Sequence, residues 1–277
     1  MKIYKKKPNE VISGIPVFSK VDKYIKNYEG IANDHTKSMS EDNPNPFIPI
    51  EIWNEMELST IELFNKYSGH LKVFESLKVL DVGVGIGRLL EKISSGRDGM
   101  EMFGMDIALP YLKISNAKGI NVCFSKIEDM PYHDEIFDVI LCTDVLEHVQ
   151  DLNLCISKIL SVLKRGGILI VRVPNKEDLS PYLKPNYPYE FAHLRNFDCS
   201  NLEALFSKIF PHEILCFSPG LFYRQINWLK YDLPFKVYGK VVVKVLNYIS
   251  LIHPKLEKWI VRKIFHPIEM NVVVRKV

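Results

Sequence analysis

An α/β fold on a mostly parallel sheet is expected from three observations. From Val79 onward, short apolar runs alternate with segments of helical periodicity. The β-branched run Val79 to Val82 stops at glycines spaced Gly83-x-Gly85-x-Gly87, and Ile86, Leu89, Leu90 and Ile93 then follow at helical spacing. The strands are short and separated by helices, the pattern of a sheet whose two faces are both covered.

Taken in order, residues 1 to about 50 are polar, poorly periodic and end in the breaker cluster Asn43-Pro44-Asn45-Pro46. Val21 to Ala32 can form a short helix, and Ile52, Met56, Ile61, Phe64 and Tyr67 predict a second one from Pro49. Strands are expected at Lys78–Val82, Glu101–Asp106, Ile120–Phe124, Phe137–Cys142, Gly167–Val173, His212–Ser218 and Met270–Lys276. Helices are expected at Arg88–Ser94, Leu109–Ala117, Leu152–Leu163 and Leu202–Phe206, with Gly166-Gly167 read as a helix C-cap. Between the last two strands, Tyr238, Val241, Val242, Val245, Ile249 and Ile252 form a helical stripe opposite Lys236, Lys240 and Lys244, and Leu256 to Ile264 is a second helix. The division that follows is a helical cap over 1–70, a core over 71–218, a helical insertion over 219–268 and a last core strand over 269–277.

With 277 residues, 47% of them hydrophobic, the chain can bury one sizeable core with an appendage. A net charge of +3 does not point to nucleic acid. Five scattered cysteines with no Cys-x-x-Cys pair suggest a reducing, cytoplasmic compartment. The basic start lacks an apolar stretch after it, so no signal peptide is expected. No apolar run approaches the roughly 18 residues of a spanning helix. From Lys230 to Val277, ten basic residues face Asp232, Glu257 and Glu269. They are read either as a solvated face of a packed cap or as a peripheral contact with anionic lipid at the inner membrane surface.

Asp81, two residues before Gly83, sharpens the glycine motif: the stretch resembles motif I of the class I S-adenosylmethionine-dependent methyltransferases. Phe137-Asp138-Val139-Ile140 through Val145-Leu146-Glu147-His148-Val149 resembles the signature of small-molecule methyltransferases, including the ubiquinone-biosynthesis O-methyltransferases. With Leu163-Lys164-Arg165-Gly166-Gly167 and Val173-Pro174-Asn175, the likeness spans about residues 78 to 175. It implies a Rossmann-like seven-stranded sheet with an antiparallel last strand, helices on both faces and a helical cap. S-adenosylmethionine is the cofactor it implies.

Glycines at a strand-to-helix turn let the backbone approach the methionine end of such a cofactor. Asp81, Gly83, Gly85 and Gly87 are therefore candidate cofactor contacts. Asp106 ends the next strand about 20 residues on, the spacing that brings a carboxylate to ribose hydroxyls. Ile107 would line the adenine. Ser125-Lys126-Ile127-Glu128-Asp129 resembles the family's adenine segment, but Lys126 stands where the family has an Asp, so the contact passes to Ile127 or Glu128. Thr143 completes the cofactor set.

His148 is the candidate base, because imidazole titrates near neutrality. No metal is expected, although by resemblance Asp144, Glu147 and His148 are an alternative set of ligands for a divalent ion. Tyr28 from the cap, Tyr189 from the tyrosine-rich loop after the fifth strand, and His193 and Arg195 beyond it are candidates for the acceptor side. The implied activity is O-methylation of a small molecule, of large, glycan or lipid-linked type, with no nucleic acid as partner. A nicotinamide-dependent oxidoreductase would also use Asp106, but the glycine spacing, Asp81 and Val145–Val149 speak against it. A non-catalytic module binding a partner or membrane through the basic C-terminal helices is the other alternative.

Overall fold

The computed structural model describes residues 3–39, 49–71, 76–222, 229–230 and 236–277. The breaker cluster at 43–46, and Asp232, lie outside them. The strands, in chain order, are β1 (Glu10–Ile12), β2 (Ile15–Val17), β3 (Leu77–Val82), β4 (Met100–Asp106), β5 (Asn121–Phe124), β6 (Phe137–Thr143), β7 (Leu163–Pro174), β8 (Glu213–Pro219) and β9 (Glu269–Arg275). They form one sheet in the order β1-β2-β5-β4-β3-β6-β7-β9-β8. The helices are α1 (Lys23–Ser38), α2 (Ile50–Ser68), α3 (Arg88–Ser94), α4 (Leu109–Ala117), α5 (Leu152–Val162), α6 (Cys199–Ala204), α7 (Lys236–Ile252) and α8 (Pro254–Ile264), with a π-turn, Leu205–Ile209, continuing α6.

All seven expected strands are present, and β9 runs antiparallel between β7 and β8. The sheet is larger than expected by the hairpin β1–β2, whose strand β2 joins β5 in parallel through Val17 and Phe124. Its loop is Ser13-Gly14, with φ of 51° and 80°. Two consecutive left-handed residues make the tight hairpin turn that fits strand twist. The apolar pairs Val11-Ile12 and Ile15 to Val17 around a Ser-Gly were the readable signal.

Gly166 differs in role from the expected helix cap. Helix α5 has ended at Val162, and β7 has begun when Gly166 takes φ 75°. Pairing jumps from Phe137↔Leu163 to Val139↔Ile168, so Lys164 to Gly167 form a bulge.

The strands at the centre bury apolar side chains on both faces: Val79, Leu80 and Val82 of β3, and Phe137 and Val139 to Cys142 of β6, are buried. From β3 the chain crosses to β4 and β5 on one side, then returns to β6 on the other. A crevice opens where the winding reverses, beyond the carboxyl ends of β3 and β6. Helix α1, N-capped by Asp22 through a 2.9 Å bond from the Ile25 amide, closes over it. Helix α2 lies beside it, anchored by buried Glu57, which accepts from Arg88 Nε at 2.8 Å and pairs with Lys92.

Helices α7 and α8 pack on each other through Leu246, Val261 and Phe265, with Val242, Val243, Ile260 and Ile264 around them. The expected stripe is therefore turned: Val241 and Val245 are each 51% exposed, and the packing seam runs along the neighbouring face.

Candidate active site

Three positive-φ glycines shape the turn after β3, with φ of 76°, 51° and 75° at Gly83, Gly85 and Gly87. A Cβ on Gly83 would stand 2.4 Å from Val145 Cγ2, so the turn can lie against the loop after β6 only without a side chain. Nothing lies within 4 Å of a Cβ on Gly85, which faces open cavity. Gly87 has a different place. It lines neither cavity and packs against Ile120 and Ser115, so its absent side chain serves the βα packing.

A cavity of about 270 Å³ occupies the crevice. It is lined by Gly83, Gly85, Asp106, Ile107, Ile127 and Glu128 below, and by Tyr24, Tyr28 and Ile31 of α1 above. Asp106 Oδ1 accepts from the amides of Ile107 (2.7 Å) and Ala108 (2.9 Å), and Oδ2 from Gly85 (3.0 Å). Burial raises the Asp106 carboxyl, while those amides oppose the shift. The residue thus ties the glycine turn to β4 as well as facing the cavity. Lys126, which replaces the family's adenine-side acid, pairs with Asp22 and lies over the Tyr24 ring.

Asp81 sits under the turn, 3% exposed, and its Oδ1 has no hydrogen-bond partner. Burial, reinforced by the charge of Asp106, pushes its carboxyl up to about 8, against the opposing pull of Arg172. An orphaned buried oxygen at this place fits a cofactor that brings a donor to it. The unfolded chain ionises this group near 4, so between about pH 4 and 8 it binds fewer protons than the folded chain, and stability falls as pH rises through that window. Asp81→Asn is expected to raise the melting temperature at pH 8 by on the order of 5 °C and to change it little at pH 4. Equal shifts at the two pH values in thermal unfolding would show that ionisation of Asp81 is not the cause.

A larger chamber of about 880 Å³ adjoins the first. Gly83, Gly85, Asp144 and His148 line both, so His148 stands at their junction. Its Nδ1 lies 3.3 Å from the Ala192 carbonyl and 3.1 Å from the Tyr28 hydroxyl, which itself donates to that carbonyl at 3.0 Å. A carbonyl only accepts, so Nδ1 carries the proton and Nε2 keeps its lone pair. Burial, then the neighbouring His193, lowers the imidazole to about 4, so it is neutral at physiological pH.

His193 packs edge-to-face on His148 with ring centroids 4.5 Å apart. Its Nδ1 is paired with Glu177 Oε2, while Glu177 Oε1 accepts from the Tyr182 hydroxyl at 2.6 Å. A carboxylate at Nδ1 orients an imidazole and stabilises its protonated form. Tyr189 also lines the chamber and donates to Asp34 at 3.0 Å. Thr143 and Asp81 lie on the chamber side rather than in the smaller cavity. Arg195 does not reach either cavity. Its guanidinium donates to the carbonyls of Leu146 (2.7 Å) and Gln150 (3.2 Å) and pins its loop to the segment after β6.

The sequence reading missed Arg172, which is 3% exposed in β7. It donates to Asp144 Oδ2 at 2.5 Å, to the Met56 carbonyl at 2.9 Å and to Thr60 Oγ1 at 3.0 Å, and its Nε lies 3.4 Å from Glu269 Oε2. A lone arginine in the apolar run Ile168–Val173 was the signal, because such a charge is buried only when paired. Asp144, at φ 55°, is turned toward this arginine. The group whose ligand atoms converge is instead Glu147, His148 and His193, all within 4.8 Å of one another, a spacing one divalent ion can bridge.

Residues 80–171 match the methyltransferase domain family. In its fold and glycine turn this segment is similar to the class I S-adenosylmethionine-dependent methyltransferases, a likeness that implies S-adenosylmethionine as the cofactor. Among curated relatives, the chain is 33% identical over 146 residues to the ubiquinone biosynthesis O-methyltransferase of Mesorhizobium japonicum, covering 48% of this chain and 58% of that one. The chain spans less than two thirds of that relative's length. Among solved structures, a Haloferax volcanii methyltransferase in complex with its Trm112 activator aligns with a TM-score of 0.56 at 13% identity, covering 93% of this chain and 99% of that one. An S-adenosylmethionine-dependent methyltransferase from Archaeoglobus fulgidus aligns with a TM-score of 0.52 at 19% identity, over 79% of this chain and 94% of that one. At these identities the structures speak to the fold alone.

Proposed function

We propose that the chain methylates a hydroxyl of a small molecule, with the cofactor in the smaller cavity and the acceptor in the larger one. The observation that carries this reading is the junction at His148, where the two cavities meet beside Gly83 and Gly85. The chemistry supplied by the bound cofactor is an electrophilic methyl group on a sulfonium. Asp106, in the smaller cavity, accepts from ribose hydroxyls, and the methionine end extends to the chamber side, where Asp81 offers its free Oδ1 to the amino group. His148, fixed in one tautomer, walls the junction between the two cavities. The proton of the acceptor hydroxyl goes to His193 at Nε2, and Glu177 at Nδ1 stabilises the imidazolium so formed. An acceptor held about 3–3.5 Å from the methyl group needs little further help.

Tyr182, Tyr187, Tyr189 and Trp53 give the chamber aromatic walls, and its size suits a large acceptor, such as a glycan or a lipid-linked precursor. Glu147, 1% exposed with both carboxyl oxygens unpartnered, is available to a donor on that acceptor.

Calorimetric titration with adenosylmethionine and adenosylhomocysteine, with NAD as control, tests the reading. Both sulfur ligands are expected to bind and NAD is not; the reverse would remove the proposal. In the same titration, Asp106→Ala is expected to weaken adenosylhomocysteine by roughly 10- to 100-fold, the worth of one or two charge-assisted hydrogen bonds. It also releases three amides, so a lower melting temperature accompanies it. Unchanged affinity would dismiss the ribose role.

A further inference from the structure

Among the described residues, seventeen large apolar side chains stand exposed, and nine of them lie between Val237 and Trp259. The exposure is therefore a property of α7 and α8, not of the surface at large. On α7, Val237, Val241, Val245, Tyr248 and Ile252 recur every three or four residues and share one face. That face is turned away from Leu246, which is 2% exposed in the seam with α8. The pair of helices has already buried its own core, and the outer stripe is additional to it.

The charges on these helices are of one sign. Residues 236–264 carry seven lysines and arginines and one carboxylate, Glu257. Glu257 is 6% exposed, so the solvent side offers cations and no acid. Lys240 and Lys244 flank the apolar stripe of α7. On α8, Trp259, 61% exposed, stands among Lys255, Lys258, Arg262 and Lys263, opposite buried Val261. A hydrophobic stripe with a lysine rim and aromatic side chains is complementary to an anionic bilayer surface: the apolar groups enter the acyl boundary and the cations meet phosphate. A second copy of the same face would set cationic rim against cationic rim.

We propose that the outward faces of α7 and α8 dock the protein on anionic phospholipid bilayers. Helix α8 ends at Ile264, a few residues before Ile268 and Glu269, which line the larger chamber. No helix among the described residues is long and apolar enough to cross a membrane. The contact is in the plane of the surface.

Co-sedimentation of the full chain with vesicles tests this without cofactor or acceptor, so its outcome is separate from that of the methyl-transfer reading. The protein is expected to sediment with phosphatidylcholine–phosphatidylglycerol vesicles, to stay in solution with phosphatidylcholine alone, and to be released by salt. Lys240→Gln and Lys244→Gln are each expected to weaken binding roughly fivefold. The exposed pair Val241→Asp with Val245→Asp is expected to abolish it while thermal unfolding stays unchanged. Failure to sediment with anionic vesicles, equal binding to neutral ones, or full binding by the aspartate pair would each overturn the proposal. So would a solution dimer that the aspartate pair dissolves in the absence of vesicle binding.

Discussion

Arg172→Met is expected to lower the unfolding free energy by about 3–5 kcal/mol, the usual cost of removing one partner from a buried ion pair. The guanidinium holds Asp144 in a left-handed backbone conformation, neutralises Glu269 and ties α2 to the sheet through Met56 and Thr60. Methionine fills much of the volume but leaves two carboxylates facing each other. Burial already pushes the Glu269 carboxyl up to about 7, with Arg172 pulling it down, so loss of the cation raises it further. Unfolded carboxyls ionise near 4, so the penalty for a raised carboxyl grows as pH rises above that value. Urea unfolding at pH 5 and pH 8 should show the larger loss at pH 8. An equal loss at both would mean that packing, not charge, is what the arginine supplies. Adding Asp144→Asn and Glu269→Gln to the variant should recover part of the stability, because no unpaired charge is then left behind.

His193→Ala is expected to lower kcat by about 10²- to 10⁴-fold, the range that a positioned general base contributes. Affinity for adenosylhomocysteine should stay within about twofold, because His193 lines the acceptor chamber and not the smaller cavity. Glu177→Gln keeps the shape but removes the charge at Nδ1, so it should lower kcat in the same direction and move the acid limb of the pH–rate profile. Single turnovers with saturating cofactor measure both. A His193→Ala enzyme with normal turnover would pass the base role to His148, whose imidazole burial and the neighbouring His193 lower to about 4. A structural role for Glu177 would slow the enzyme without shifting the profile.

Much of the molecule is legible in the sequence because local signals and tertiary structure agree. Helices α3 and α4 occur at the expected residues, and the central strands end within one or two residues of expectation. The glycine turn, Asp106 and Ile107 could be placed because strand–turn–helix geometry fixes them by spacing. The acceptor side could not be placed in the same way. Glu177 and His193 are sixteen residues apart and meet only because their loop folds back over the ends of β6 and β7. Arg172 looks like one more strand residue until three other elements supply its partners. Arg195 shows the converse: residue type and position suit an acceptor contact, yet neighbouring carbonyls take its hydrogen bonds. The face that α7 presents to solvent was misread because an isolated amphipathic pattern does not say which neighbour will use it.

The place of β9 bears on the order in which a growing chain acquires its parts. Among the described residues, strand β8 pairs in the sheet with β9 alone, and β9 follows all the other strands of that sheet in the chain. On the ribosome, β3 to β7 can therefore settle around the glycine turn while β8 still has no strand to join. Ile268 and Glu269, which wall the larger chamber, arrive with β9. The nascent chain thus has the frame of its smaller cavity before the larger chamber has all of its wall.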